Sequence, residues 1–175
     1  MTSQVNFDNW VGDDGNAKQT VVQVQHKILR TTWSQSIANG TTWYDTPLEV
    51  AITPSSANNK ILIMVSAHMG TGYWELQGRL TRNGTPIGIG DARGSRSRCG
   101  FATLKYDTDY DDQDWFPIKY NYLDSPSSTS TVVYKVQLNG YSTFAIHLNR
   151  THNNYDGQDY YGCPVSTITL MEIAA

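Results

Sequence analysis

The chain has 175 residues, a mass of 19.6 kDa and a formal charge of −3, with 39% apolar and 17% charged residues. That length suits one domain with a sizeable core and leaves little room for a second. Thr (19), Ser (14), Asp (13), Asn (12) and Tyr (11) far outnumber Glu (3) and Lys (6). Strand and turn formers therefore replace helix formers, which excludes a helical bundle or coiled coil. The acidic balance argues against a general nucleic-acid binder.

No apolar run reaches 18 residues, so no membrane insertion is expected. The start, Met1-Thr2-Ser3-Gln4-Val5-Asn6-Phe7, lacks the basic and apolar regions of a secretory signal, which points to synthesis in a cytoplasm. Cys99 and Cys163 lie far apart without histidines at metal-ligand spacing, so idle thiols are expected and no zinc site.

Residues 1–20 are turn-rich and aperiodic and read as an arm or attachment segment; residues 21–175 read as one domain. Val22, Val24, His26 and Ile28 share one strand face against Gln23, Gln25 and Lys27, with His26 expected in the core. Asn39-Gly40 marks a turn before Leu48, Val50 and Ile52, and residues 53–59 form a loop containing Pro54. Ile61 to Val65 is apolar on both faces, as is Val165 to Ile173. Such strands are either covered within the fold or packed against another subunit.

Trp74, Leu76 and Leu80 form the next apolar face. Asn83-Gly84 predicts a type I′ hairpin, because both residues tolerate positive φ. A short return strand follows from Thr85, then a basic loop at 91–98 and an acidic, aromatic loop at 106–115. Val132, Tyr134, Val136 and Leu138 share a face, and Asn139-Gly140 is read as a turn into Phe144, Ile146 and Leu148. Eight to ten strands without helices predict an all-β sandwich or barrel.

Several segments resemble a recurring C-terminal domain of tail-fibre and virion structural proteins of tailed bacteriophages, especially those of marine bacteria and cyanobacteria. They are Val22-Gln23-Val24-Gln25, the run Ala51-Ile52-Thr53-Pro54-Ser55-Ser56-Ala57-Asn58-Asn59-Lys60-Ile61-Leu62-Ile63, residues 87–96, residues 122–136 and residues 166–174. In order, these pieces span roughly residues 21–175, nearly the whole β region, and the resemblance rests on their order and spacing together. The resemblance implies a non-enzymatic virion component with a jelly-roll-like antiparallel β-sandwich, C1q/TNF-like architecture being one form of it, assembled as a homotrimer. It implies a short tail fibre, tip or surface appendage docked on a larger virion protein of the tail, baseplate or capsid. The alternative is a purely structural capsid or baseplate decoration protein. Tail fibres usually carry a long shaft before such a domain, whereas about 20 residues precede it here. Phe7, Trp10 and Val11 are accordingly the expected attachment residues.

Asp107, Asp109, Asp111, Asp112 and Asp114 interleave with Tyr106, Tyr110 and Trp115. Carboxylates accept paired hydroxyl hydrogen bonds and aromatic rings cover sugar faces, so host-surface polysaccharide is one partner this loop suits. Calcium is a second reading, but the spacing lacks the glycine and glutamate of an EF-hand loop; a solvated hairpin tip is the third. Tyr155, Asp156, Asp159 and Tyr160 repeat the same chemistry. Arg93, Arg96 and Arg98 suit either acids of a neighbouring strand or subunit, with the Asp-rich loop the obvious candidate, or an anionic polysaccharide or phosphate. The four histidines are scattered, and neither Gly-x-Ser-x-Gly nor His-Glu-x-x-His occurs. No catalytic residue, metal or cofactor is therefore expected. A polysaccharide depolymerase using a pair such as Asp112 and Asp159 is the remaining alternative.

Overall fold

The structure, a computed structural model, describes residues 20–38, 40–72, 75–104, 115–140, 144–153 and 162–175. Among them are strands β1 (Val21–Leu29), β2 (Trp33–Ser36), β3 (Tyr44–Ile52), β4 (Lys60–Thr71), β5 (Glu75–Arg82) and β6 (Thr85–Ile87). The series continues with β7 (Phe101–Leu104), β8 (Phe116–Asp124), β9 (Val132–Gly140), β10 (Ala145–Leu148) and β11 (Ser166–Ile173), and no helix occurs among the described residues.

All pairings are antiparallel. One sheet runs β1-β11-β4-β8, with β10 beside β11 along the same edge of β4 and β2 beyond it. The other runs β3-β9-β5, with β6 and β7 sharing the free edge of β5. The two inner faces pack together as a β-sandwich. Ile61, Ile63, Val65, Ile168 and Leu170 of the first sheet meet Leu48, Leu76, Leu80, Val136 and Leu138 of the second, all nearly or fully buried. The expected alternation is thus realised, since period-2 side chains put one set inward.

Three expectations are corrected. Val22, Val24 and Ile28 do not reach the core; they are 47%, 50% and 37% exposed on the outer face of the first sheet. His26, on the same face, is exposed and bonded to the Thr169 hydroxyl at 2.7 Å rather than buried. Asn139 and Gly140 are the last two residues of β9 rather than a turn. Asn139 is tolerated because its amide donates to the Gly40 carbonyl at 2.8 Å and its Oδ1 accepts from the Gly140 N–H. Asn83 and Gly84 do form the hairpin, at φ values of 49° and 83°.

Two buried carboxylates fix one end of the sandwich. Glu172 is fully buried and accepts hydrogen bonds from Gln23 Nε2 (2.6 Å), the Ser55 N–H (2.7 Å), Ser55 Oγ (2.8 Å) and Asn59 Nδ2 (2.6 Å). It therefore joins β11 to β1 and to the loop between β3 and β4. Burial pulls its pKa upward, but the Gln23, Asn59 and Ser55 donors outweigh that and hold it down to about 2. Asp124, at the end of β8, has both oxygens 3.0 Å from Arg82 Nη1 and accepts the Tyr134 hydroxyl at 2.6 Å. Burial first, and then that bond, push the Tyr134 phenol far above its usual range. This cluster ties the first sheet to β5 and β9 of the second.

Glu172→Gln preserves shape but turns one acceptor into a donor facing other donors. It is expected to cost about 2 kcal/mol in urea unfolding at pH 7. The native pKa lies below the ordinary 4.5, so the carboxylate's contribution is complete above that value and drains away as pH falls towards 2. The stability gap between wild type and variant should close over this window; a gap constant down to pH 2 contradicts the assignment.

Candidate functional site

At the opposite end, strand register gathers the chain ends that carry the long loops. Thr71 lies opposite Ile146, Met69 opposite Phe116, Glu75 opposite Leu104 and Leu76 opposite Gly140. Trp115 stands directly before β8. Its ring meets that of His68 edge-on, with centroids 6.3 Å apart, and its Cη2 would lie 3.3 Å from a Cβ placed on Gly162. In sequence Trp115 closes the acidic segment and Gly162 closes the Tyr/Asp segment, so the residues that end the two segments lie close together. Trp115 Nε1 and His68 Nδ1 are both buried without a hydrogen-bond partner.

Beside them, His147 on β10 is only 3% exposed. Its Nδ1 bonds Ser34 Oγ at 2.8 Å and its Nε2 faces His152 Nδ1 at 3.1 Å. Residues 150–152 cover it: the Arg150 guanidinium donates to the carbonyls of Thr151 (2.9 Å) and His152 (2.6 Å). Gly72 is required below this cover, because a Cβ there would come within 2.8 Å of the His152 ring. Burial, then the charges of Arg150 and His152, push the His147 imidazole down to about 4. A neighbouring guanidinium opposes cation binding at this histidine pair, and no group of three or more metal-ligating side chains occurs among the described residues.

The outer faces of the two sheets differ in kind. On the first, Val24 lies opposite Met171, Met171 opposite Leu62, and Leu62 opposite Leu123. This is an unbroken apolar row across four strands, with Val24 and Leu123 50% and 49% exposed. The next row is His26, Thr169, Met64 and Asn121, beside an open groove of about 250 Å³. On the second sheet, Lys135 Nζ pairs with Asp45 at 2.6 Å and Glu49 at 2.7 Å. There Gln137 donates to Asp45 at 2.7 Å, and Arg79 donates to Gln137 at 2.9 Å while lying 4.2 Å from the Trp43 ring centre. One face is dry and uncharged along its apolar row; the other is ion-paired and solvated.

Of the site residues expected from sequence, Trp115 alone is described. Asp109, Tyr110, Asp111, Asp112, Tyr155, Asp156, Asp159 and Tyr160 lie outside the described residues, as do Phe7, Trp10 and Val11. Cys99 and Cys163 are free thiols. Leu62 and Met171 of the apolar row come from the two strands whose sequence is apolar on both faces, whereas Val24 was expected in the core, because alternation shows that a strand has two faces without showing which one meets the core. The His147 and His152 pair carries no sequence signal beyond spacing. Compared with known protein families and with curated proteins, the chain matches neither a family model nor an individual protein.

Between pH 6.5 and about 4 the unfolded chain takes up a proton at residue 147 that the folded chain refuses. Stability therefore falls with acidification across that window, by about 3 kcal/mol in total. His147→Gln is expected to remove this slope in urea melts at pH 7 and 4.5. An undiminished slope refutes the assignment.

Proposed function

We propose that the chain is a non-enzymatic virion structural protein of a tailed bacteriophage: a trimeric, jelly-roll-like appendage that assembles through the outer face of its first sheet and contacts host-surface glycan through one loop-bearing end. The single observation that carries assembly is the Val24, Met171, Leu62 and Leu123 row. An apolar band across four strands at a surface favours burial against another protein, while the ion-paired opposite face has no such need. The jelly-roll reading is supported by strand order, β1-β11-β4-β8 facing β3-β9-β5-β6 and β7, which is two interleaved Greek keys once β2 and β10 are set aside. The phage reading rests on the resemblance. In its favour, Gln23, Ser55, Asn59 and Glu172 of one polar cluster, and Asp124 and Tyr134 of the other, all come from the resembling segments.

Glycan recognition is supported by the contact between Trp115 and Gly162, which brings the roots of both Asp/Tyr loops to one place. A decoration protein with no ligand is the second reading, favoured by the fact that the dry face alone accounts for assembly.

Light scattering at micromolar concentration should return three times the 19.6 kDa chain mass. Val24→Lys with Met171→Lys should give a monomer of unchanged circular dichroism; a wild-type monomer overturns the assembly face. In adsorption to host cells or a glycan array, Trp115→Ala and Asp111→Ala should each weaken binding about tenfold or more. Adsorption that both changes leave intact removes the glycan role and leaves the decoration reading.

A further inference from the structure

The loop between β6 and β7 holds the densest exposed positive charge among the described residues. Arg93, Arg96 and Arg98 are all exposed, within six positions of a chain whose net charge is −3. The loop is braced rather than slack. The Gly90 N–H donates to the Cys99 carbonyl at 3.1 Å, the Arg96 N–H to the Arg93 carbonyl at 3.3 Å, and Arg98 Nε to the Gly90 carbonyl at 2.7 Å. Its two ends are tied in turn: the Tyr120 hydroxyl of β8 donates to the Gly88 carbonyl, and the Gly100 N–H to Gly78 of β5 at 2.9 Å. Gly94, at φ +57°, makes the turn that projects Arg93 and Arg96.

Among the described residues, acids do not neutralise this patch. Asp91 is the one carboxylate in residues 88–100. Glu75, whose charge is felt at Cys99 at the base of the loop, is bonded to the Gln77 amide. Among the described residues no carboxylate pairs with Arg93, Arg96 or Arg98. Arginine's planar fork matches sulfate and carboxylate groups bidentately, which lysine cannot do. A braced backbone also lowers the ordering cost of presenting two such forks.

From this we infer that the Arg93–Arg96–Arg98 loop is a binding site for an anionic polysaccharide, its sulfate or carboxylate groups seated on the Arg93 and Arg96 guanidiniums. The site lies on the flank between the sheets, apart from the dry face. Duplex nucleic acid is a poorer fit: its affinity grows with the number of phosphates neutralised, and a patch this narrow in an acidic chain reaches few.

Binding of the purified chain to immobilised dextran sulfate, alginate, neutral dextran and a short DNA duplex tests the site. Dextran sulfate or alginate should retain the protein and neutral dextran should not, with about a tenfold loss when salt rises from ~50 to ~200 mM. Arg93→Ala with Arg96→Ala should reduce retention at least about tenfold, whereas Lys27→Ala with Arg30→Ala, which removes equal charge from the exposed start of the domain, should not. The inference is overturned by equal loss in both double variants, by retention on neutral dextran, or by tighter binding to the duplex. It is equally overturned if the Arg93/Arg96 variant changes the oligomeric mass, which would make the loop a subunit contact.

Discussion

A fully buried carboxylate with no cation beside it among the described residues is the constraint around which this domain is organised. Glu172 survives burial because four donors, from β1, from the loop before β4 and from that loop's backbone, converge on its two oxygens. Removing a carboxylate from water costs several kcal/mol unless it is fully hydrogen-bonded. The donors are thereby compelled to stay, and β1, which buries almost nothing of its own, is held in register by more than its ladder with β11. Asp124 solves the same problem differently, with Arg82 and Tyr134, and its partners lie across the sandwich. The two clusters sit at the same end of the strands and lock it.

The other end is built from different chemistry. There residues 150–152 pack over Gly70 of β4 and Gly72 just beyond it, where a Cβ would meet the Arg150 carbonyl or the His152 ring, while His147 bonds His152 and Trp115 packs on His68. Among the described residues the cover is held by neutral hydrogen bonds and by carbonyls around Arg150. Acid therefore acts on the two ends over separate ranges. Protonation loosens the histidine end first and the Glu172 end only at much lower pH. A locked end opposite an end that carries the loops is the usual division of labour for recognition on a rigid scaffold.

Much of this was legible in the sequence. Alternation found the strands, and Asn83-Gly84 fixed a hairpin, because those signals are local. Parity even marked Glu172, two residues from Leu170 and four from Ile168 on the face that proved to be the core. Nothing local reveals the four donors that reach it from distant segments. The same limit misplaced Val22, Val24 and His26. A strand's apolar face points inward only if the opposing sheet covers it, and β1, at the edge of its sheet, is exposed on both faces along nearly its whole length. Asn139-Gly140 was misread because its satisfaction by the Gly40 carbonyl is tertiary. Of the candidate recognition residues, Trp115 alone can be related to the fold, through its contact with His68 and Gly162.

The geometry of the dry face bears on what assembly would achieve. Its apolar row crosses four neighbouring strands, a band roughly 14 Å wide running perpendicular to the strand direction. Copies packed on that band around an axis along the strands would keep their strands parallel, and so would bring all their loop-bearing ends to one side. Weak contacts at each end would then act together, because linked sites raise one another's effective concentration without any new contact. The flank carrying Arg93 and Arg96 would stay outside the band, since that loop springs from the edge of the second sheet beside β8. Assembly and ligand contact as proposed would thus draw on separate surfaces of the same sandwich, and changing one need not disturb the other.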